Sequence, residues 1–190
     1  MNAAPLRLVV IVGSTREGRF GPTVADWFAE EARAHAGVDI DVIDLAEADI
    51  THVLCGEPTP EVAAITPRLA AADAFVVVTP EYNHSYPASL KAAIDWHYVQ
   101  WQAKPVGFVS YGGLGGGLRA VEHLRQVFAE LHAVTVRETV SFHMAWERFG
   151  QDGTPHDADI VSGAAKRMLD QLVWWGRALR QAREELPYGA

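Results

Sequence analysis

Cysteine is nearly absent, since the chain of 190 residues contains only Cys55. A single cysteine cannot form an intramolecular disulfide, and this composition is typical of proteins in a reducing cytoplasm. Cys55 lies in a loop-like stretch without a residue that would activate its thiol. We therefore interpret it as incidental rather than as a nucleophile.

Long apolar runs are absent as well. No stretch approaches the roughly 20 apolar residues that are needed to span a bilayer. The apolar run at residues 6–12 is too short for the core of a signal peptide, and it leads directly into a polar loop. We therefore expect a cytoplasmic protein that does not associate with membranes.

Basic residues are outnumbered, with 16 lysines and arginines against 24 acidic residues and a net charge of -8. This balance argues against a nucleic-acid partner, because such a surface needs clustered lysine and arginine. It does not exclude an anionic small ligand, which local arginines and helix N-termini can hold inside an acidic protein.

Metal-ligand patterns are missing despite the eight histidines. These histidines show no tight ligand spacing, and no H-E-x-x-H motif is present. We therefore predict no metal site. His84 adjoins one of the candidate loops described below and is the one histidine that we connect with function, in a supporting role.

Short apolar runs alternate with longer amphipathic segments, and the length of residues 1–190 suits a single domain. The predicted strands are unbroken apolar runs, typical of parallel strands that are covered on both faces. The order βαβαβαβαβα predicts a three-layer α/β domain with right-handed crossovers. The predicted strands span residues 6–12, 38–43, 74–79, 106–110 and 134–136, and the predicted helices span residues 24–32, 61–71, about 88–101, 118–131 and 161–179.

Ligands of such sheets bind beyond the carboxyl ends of the strands, so the loops after strands one, three and four matter most. The first loop (residues 13–23, GSTREGRFGPT) carries hydroxyls and glycines before a helix start, which indicates an anion site. Arg16 and Arg19 would add charge-assisted bonds to a phosphate. The loop lacks the lysine of a Walker motif and the G-x-S-x-G of a nucleophile elbow.

The second loop (residues 80–87, PEYNHSYP) leaves the most hydrophobic strand and is stiffened by two prolines. Tyr82 offers a flat ring, and Asn83 offers hydrogen-bond donors and acceptors. Ser85 is the predicted N-cap of the following helix, with Pro87 in its first turn. The loop therefore presents a planar surface with polar edges and loses little entropy on binding.

The third loop (residues 110–117, SYGGLGGG) contains five glycines, which let the backbone approach a ligand closely. A rival interpretation exists, because residues 115–120 also match the G-x-G-x-x-A pattern of a dinucleotide fold. So many glycines make that match nearly automatic, and the ribose-binding acid would have to be Glu138, beyond a helix and a strand.

The three loops together resemble the NADPH-dependent FMN reductase family, on GSTREGRFG, PEYNHSYPASLKAAIDW and SYGGLGGGLRAVEHLR. The resemblance implies a flavodoxin-like fold, with a five-stranded parallel sheet in the order 2-1-3-4-5 and helices on both faces. It implies FMN as cofactor, NADPH or NADH as hydride donor, and a quinone, azo compound or free flavin as acceptor. The cofactor-binding residues that it implies are Ser14, Arg16, Arg19, Phe20, Gly21, Pro80, Glu81, Tyr82, Asn83, Ser110, Tyr111, Gly112 and Gly113.

Two departures from the family pattern stand out. Many relatives carry serine and asparagine where Arg19 and Gly21 stand, and residues 141–159 do not follow the family pattern. The flavin would perform the chemistry, so no catalytic side chain is predicted. An FMN-binding electron carrier and a redox sensor remain as alternatives to the oxidoreductase.

The helix after Pro87 carries more aromatic residues than one buried face needs. Tyr98 and Trp101 would share a face with Ile94 and His97, whereas Trp96 points elsewhere. This surplus predicts a subunit contact. The resemblance also implies a homodimer or homotetramer, with the flavin near the interface.

Overall fold

The computed structural model describes residues 4–189 and contains one five-stranded parallel sheet in the order β2-β1-β3-β4-β5. This is the predicted order, and strands and helices alternate along the chain. The strands are β1 (Leu6–Val12), β2 (Val38–Asp44), β3 (Ala74–Pro80), β4 (Pro105–Tyr111) and β5 (Val134–Phe142).

Helices cover both faces of the sheet, which confirms the three-layer prediction. One apolar cluster joins α1 and α6 to the sheet, and a second joins the sheet to α3, α4 and α5. All residues of β3 and β4 are buried, as expected for strands that are covered on both sides. The helices are α1 (Gly21–Ala34), α2 (Leu45–Ala48), α3 (Pro60–Ala71), α4 (Ala88–Asp95), α5 (Leu118–Glu130) and α6 (Ala158–Glu185), with a short 3₁₀ helix at Ala145–Glu147.

Strand β5 is longer than predicted, because it continues from Val136 to Phe142. It is an edge strand, and its outer positions carry Arg137, Glu138 and Thr139, so the apolar pattern stops early in the sequence. The strand also contains a β-bulge, because three of its residues, between Thr135 and Thr139, lie opposite Gly107 of β4 alone. The strand therefore reaches the same edge of the sheet as the three predicted loops.

Helix α4 is shorter than predicted, because it ends at Asp95 rather than near Trp101. The chain then turns, and the Trp101 ring packs on Phe75 and Phe128 at centroid distances of 4.7 and 5.5 Å. Its Nε1 donates to the carbonyl of His97 at 2.8 Å. The predicted aromatic face therefore divides, with Trp101 in the core and Tyr98 half exposed.

The start of α4 also differs from the prediction. Pro87 is the N-cap and no side chain of the described part of the chain caps this helix, so Ser85 is not its N-cap. The Ser85 hydroxyl instead contacts His123 Nδ1 of α5 at 3.0 Å. The second loop is therefore hydrogen-bonded to α5 rather than to α4, the helix that follows it.

The parallel register brings the loop exits together. Thr79 pairs with Ser110 and Pro80 with Tyr111, so the second and third loops leave the sheet side by side. Gly13 N donates to Val78 O at 2.9 Å, which places the first loop beside the end of β3. Across residues 4–189, no helix is long and apolar enough to cross a membrane.

Candidate functional site

The first loop is held in place by Arg19. Its Nη1 and Nη2 each donate to a carboxylate oxygen of Asp44 at 2.6 Å, and Nη1 also donates to Ser14 O at 2.8 Å. This hydrogen bonding to Asp44 raises the pKa of Arg19 above its usual value. The predicted contact of Arg19 with a phosphate therefore competes with a bidentate ion pair that is already formed.

A buried contact joins the first loop to the third. The Tyr111 hydroxyl donates to Ser14 Oγ at 3.0 Å, and the Ser14 side chain is fully buried. Burial raises the pKa of Tyr111, so the phenol stays protonated and keeps its donor. A Cβ at Gly21 would lie only 2.4 Å from Ser14 Oγ, so this position needs glycine. The glycine at this departure from the family pattern therefore has a structural reason.

Donors remain available beside this contact. Helix α1 begins at Gly21, and no side chain in residues 4–189 caps its N-terminus at Phe20. Within the same range, the exposed Arg16 side chain makes no hydrogen bond or ion pair. A helix N-terminus and a free guanidinium attract anions. Both predicted features of an anion site are thus present in the first loop.

The second loop contains a tight turn. Tyr82 N donates to Ser85 O at 2.8 Å, and Ser85 N donates to Tyr82 O at 3.0 Å. The two central residues, Asn83 and His84, have φ of +49° and +69°, as in a type I′ turn. The turn leaves the Tyr82 side chain half-buried and Asn83 exposed at the edge of the site.

Glu81 does not turn its carboxylate to the solvent. Arg119 Nε donates to Glu81 Oε1 at 2.5 Å, and the Glu81 side chain is only 6% exposed. Arg119 Nη1 contacts His84 Nε2 at 2.9 Å. Arg119 was not among the site residues predicted from the sequence, although opposite charges at neighbouring strand exits were a usable signal for this ion pair.

The five glycines of the third loop expose backbone without side chains, and this surface is named the glycine wall. Gly116 and Gly117 have φ of +58° and +86°, and a Cβ on Gly117 would lie 2.5 Å from Ser110 Cβ. The hydroxyls of Ser110 and Ser141 both donate to Gly116 O, at 2.9 and 2.7 Å. The glycines are therefore required by close packing, and Ser110 acts from behind the loop rather than on its surface.

The segment after β5, which does not follow the family pattern in the sequence, borders the same site. Met144 N donates to Gly113 O and Ala145 N to Gly112 O, each at 3.0 Å. A Cβ on Gly113 would lie 3.5 Å from the ring of Trp146, which is 59% exposed. The extension of β5 to Phe142 is what brings this segment alongside the third loop.

A separate cavity of about 590 Å³ lies on the other flank of α1, against residues 150–154. Its lining includes Asp26, Glu30 and Asp152, with Arg33 as its one basic residue. This charge makes the cavity a poor site for a phosphate. At the carboxyl edge of the sheet the three loop exits lie side by side, with Arg16 and the α1 N-terminus in the first loop, Tyr82 in the second and the glycine wall in the third. The space between them is the three-loop crevice.

Acidic and histidine side chains do not assemble into a metal site in the described part of the chain, where no group of three or more potential ligands occurs together. Cys55 is exposed, and its Sγ donates to Glu57 O. Glu138, the ribose-binding acid of the rival dinucleotide interpretation, lies on β5 and pairs with Arg137. The sheet order also differs from that of a dinucleotide fold.

Comparison with known proteins connects this geometry to a family. The model of a family described as NADPH-dependent FMN reductase matches residues 6–147, which contain all three loops and all strands. The remaining matched segment ends in the 3₁₀ helix beside the third loop.

Curated relatives carry related names. An NAD(P)H-dependent FMN reductase of Schizosaccharomyces pombe is 38% identical over 58% of this chain, and the alignment spans 60% of that relative. A probable NADPH:quinone oxidoreductase of Oryza sativa is 32% identical, over 82% of this chain and 81% of its own length. An FMN-dependent NADPH-azoreductase of Staphylococcus haemolyticus is 29% identical, over 87% of this chain and 92% of its own length.

Among solved structures, the flavoenzyme FerB of Paracoccus denitrificans superposes with a TM-score of 0.72 and 23% identity. The superposition covers 91% of this chain and 98% of FerB. At this identity the likeness shows the shared fold, which is the predicted flavodoxin-like sandwich.

Proposed function

Because this chain belongs to the NADPH-dependent FMN reductase family, we propose that it binds FMN in the three-loop crevice and transfers electrons from a reduced nicotinamide to a small-molecule acceptor. The observation that carries this proposal is the convergence of the loops. An anion site without an internal partner lies at the exit of β1, and the glycine wall lies at the exit of β4, with the exit of β3 between them.

Each loop has its own part in binding. Arg16 and the N-terminus of α1 would hold the phosphate, with Ser14 beneath it and Phe20 and Gly21 supplying backbone donors. We assign Arg19 to the support of this loop, because Asp44 already engages its guanidinium. The first loop would therefore anchor the tail of the cofactor.

The second and third loops would hold the flavin ring. The Tyr82 side chain and the edge at Pro80 and Asn83 would line one side, and the backbone of Gly112 and Gly113 would line the other. Glu81, Ser110 and Tyr111 were predicted as cofactor contacts. Their side chains are engaged by Arg119, Gly116 O and Ser14, so we assign them to the support of the crevice.

When bound, FMN supplies the redox chemistry, accepting a hydride from NADPH or NADH and passing two electrons to the acceptor. For a quinone, one further proton from solvent balances the reduction to the hydroquinone. The chain would bind and orient both partners, and backbone N–H groups of the third loop that are not engaged within the chain would stabilise negative charge on the reduced flavin. We assign no side-chain nucleophile, acid or base, as the sequence predicted.

The acceptor that we propose is a quinone or an azo compound. The relatives named above include a quinone oxidoreductase and an azoreductase. Support also comes from the open rim of the crevice, where Trp146 and Leu114 are exposed and offer apolar contacts to a planar molecule.

Anaerobic rapid mixing tests the reaction. The protein loaded with FMN should lose the flavin absorption band on mixing with NADPH and regain it when a quinone is added. A flavin band that persists in the presence of NADPH, with reduction by dithionite intact, would favour the electron carrier. Absence of FMN binding at micromolar concentration would end the proposal.

We also propose an oligomeric state, a cellular location and a domain organisation. We propose a homodimer or homotetramer, supported by the exposed aromatic rings of Trp174 and Tyr98, 64% and 51% exposed. We propose a cytoplasmic location from the cysteine content and a single FMN-binding domain over residues 1–190. Sedimentation measurements with and without FMN would test the oligomeric state.

A further inference from the structure

Three titratable or charged side chains connect the second loop to α5. The Glu81 carboxylate accepts from Arg119 Nε at 2.5 Å and from Arg119 N, in the first turn of α5, at 3.3 Å. Arg119 Nη1 lies 2.9 Å from His84 Nε2. One arginine therefore holds both the residue before the tyrosine turn and a central residue of that turn.

The chemistry of this contact specifies the protonation state of His84. A guanidinium has only donors, so His84 Nε2 has to be the acceptor. An imidazole that accepts at Nε2 is neutral and carries its proton on Nδ1. A protonated His84 would present a second donor and a positive charge to Arg119, and the contact would become repulsive.

The other groups around His84 do not replace this interaction. Glu81 at the exit of β3 is already bound to Arg119, and Arg119 supplies the positive charge from α5. His123, also on α5, contacts the Ser85 hydroxyl at 3.0 Å. A hydroxyl can donate or accept, so this second contact tolerates either state of His123.

The turn needs such support. Asn83 and His84 both occupy the left-handed region, which costs L-residues free energy although Asn and His enter it more readily than most. The half-buried Tyr82 side chain precedes them, and the backbone bonds between Tyr82 and Ser85 are the two that close the turn. Release of His84 by Arg119 would therefore free the turn that carries the proposed flavin contact.

We propose that Arg119, Glu81 and His84 form a positioning unit that holds the tyrosine turn against the flavin and loosens when His84 takes up a proton. This inference rests on the proposed function, adds Arg119 to the site and gives the supporting residue His84 a defined role. Neither residue touches the reacting atoms. They act through the position of Tyr82 and Asn83.

The test compares the rate constant for reduction of bound FMN by NADPH in the FMN-loaded protein, between pH 5.5 and 8. Arg119→Ala should lower this rate constant about 10-fold at pH 8, since small displacements at a reacting centre are costly. Arg119→Lys, which keeps the positive charge but lacks the guanidinium geometry that reaches Glu81 and His84 together, should recover part of the lost rate. Exposed Arg177→Ala on α6 serves as the matched control and should leave the rate constant unchanged.

The pH profile separates positioning from general stability. His84→Gln retains an acceptor that takes up no proton, so the ratio of its rate constant to that of the unaltered protein should rise as the pH falls from 8 to 5.5. His132→Gln is the matched control, because His132 is also left-handed, with φ of +60°, but lies before β5 at the opposite edge of the sheet.

Distinct outcomes separate this inference from the proposed function. If the unaltered protein binds FMN and is reduced by NADPH, but Arg119→Ala and His84→Gln show the same rate constants and pH profile, the positioning unit is refuted and the proposed function stands. If Arg119→Ala does not fold, the His84→Gln profile decides alone. An unaltered protein that NADPH does not reduce contradicts the proposed function itself.

Discussion

Charged groups at the two edges of the sheet differ in their pairing. At the amino edge, Lys104 Nζ donates to the carbonyls of Leu69 and Ala70, which close the end of α3, at 3.1 and 2.9 Å. Asp73 pairs with both Arg180 and Arg183. At the carboxyl edge, Arg16 and the N-terminus of α1 have no such partner within residues 4–189.

This difference indicates that a ligand site lies at the carboxyl edge of the sheet. Charges that are already hydrogen-bonded or paired inside the chain leave no donor or acceptor for a ligand. Donors left open beside a glycine wall leave binding energy available for one. Changes at the carboxyl edge should therefore alter FMN binding, and changes at the amino edge should alter stability alone.

The largest effect at the carboxyl edge is expected for Gly21→Ala. The added Cβ would meet Ser14 Oγ and the Tyr111 hydroxyl, 2.4 and 2.8 Å away, and force the first and third loops apart. We expect FMN affinity to fall about 100-fold, or roughly 3 kcal/mol. Titration of flavin fluorescence measures it. At Gly56, where a Cβ meets no described atom within 4 Å, the same substitution should have no effect.

Arg16→Ala tests the open donor at the carboxyl edge alone, because it removes this donor without disturbing packing. A charged hydrogen bond to the phosphate should contribute about 2 kcal/mol, so we expect FMN affinity to fall roughly 30-fold. Isothermal titration measures the change. Arg33→Ala, on the exposed surface of α1, is the control. Equal FMN affinity in a folded Arg16→Ala protein would remove Arg16 from the site.

The amino edge should respond to pH in stability and not in binding. Burial lowers the pKa of Lys104 to about 8, below the value of roughly 10.4 in an unfolded chain. Between these values the unfolded state binds more protons, so the free energy of unfolding should rise with pH, by about 1–2 kcal/mol from pH 7.5 to 9.5.

Urea unfolding at these two pH values measures that rise, and Lys104→Met should abolish it while leaving FMN affinity unchanged. Above pH 10, Tyr111 would act in the opposite direction, because its pKa is raised in the folded state. A persistent rise in the Lys104→Met protein would show that another group is responsible.

The smallest effect is expected for Tyr82→Phe. We assign the flat ring to the lining of the flavin and no role to the hydroxyl, so FMN affinity should change by less than about 0.5 kcal/mol. Tyr82→Leu, which removes the ring but keeps an apolar side chain, should weaken binding more. Equal losses in the two variants would assign the role to the hydroxyl instead.

The parallel sheet was predictable from the apolar runs and the strand order from the family resemblance, and both fold and family are confirmed. The ends of α4 and β5 were not. Trp101 leaves the helix to fill the core beside Phe75, and β5 continues with polar residues because one of its edges is open. Such outcomes depend on tertiary neighbours that no local pattern contains.

Within the site, the residue types were predicted better than their orientations. The sequence placed Arg19 and Glu81 at the crevice, but it could not show that Asp44 and Arg119 engage them. Both partners are distant in the sequence, at separations of 25 and 38 residues. The roles of these side chains therefore emerge only from the folded chain.

The ratio of the affinities for FMN and riboflavin is the most direct test of a phosphate site in the first loop. The two ligands differ only in the phosphate that this loop should hold. Quenching of flavin fluorescence gives both dissociation constants in one buffer. We predict that FMN binds at least about 100-fold more tightly than riboflavin, the effect of one or two charged hydrogen bonds and a helix N-terminus. Equal affinity for the two flavins would contradict an anion site at the start of α1.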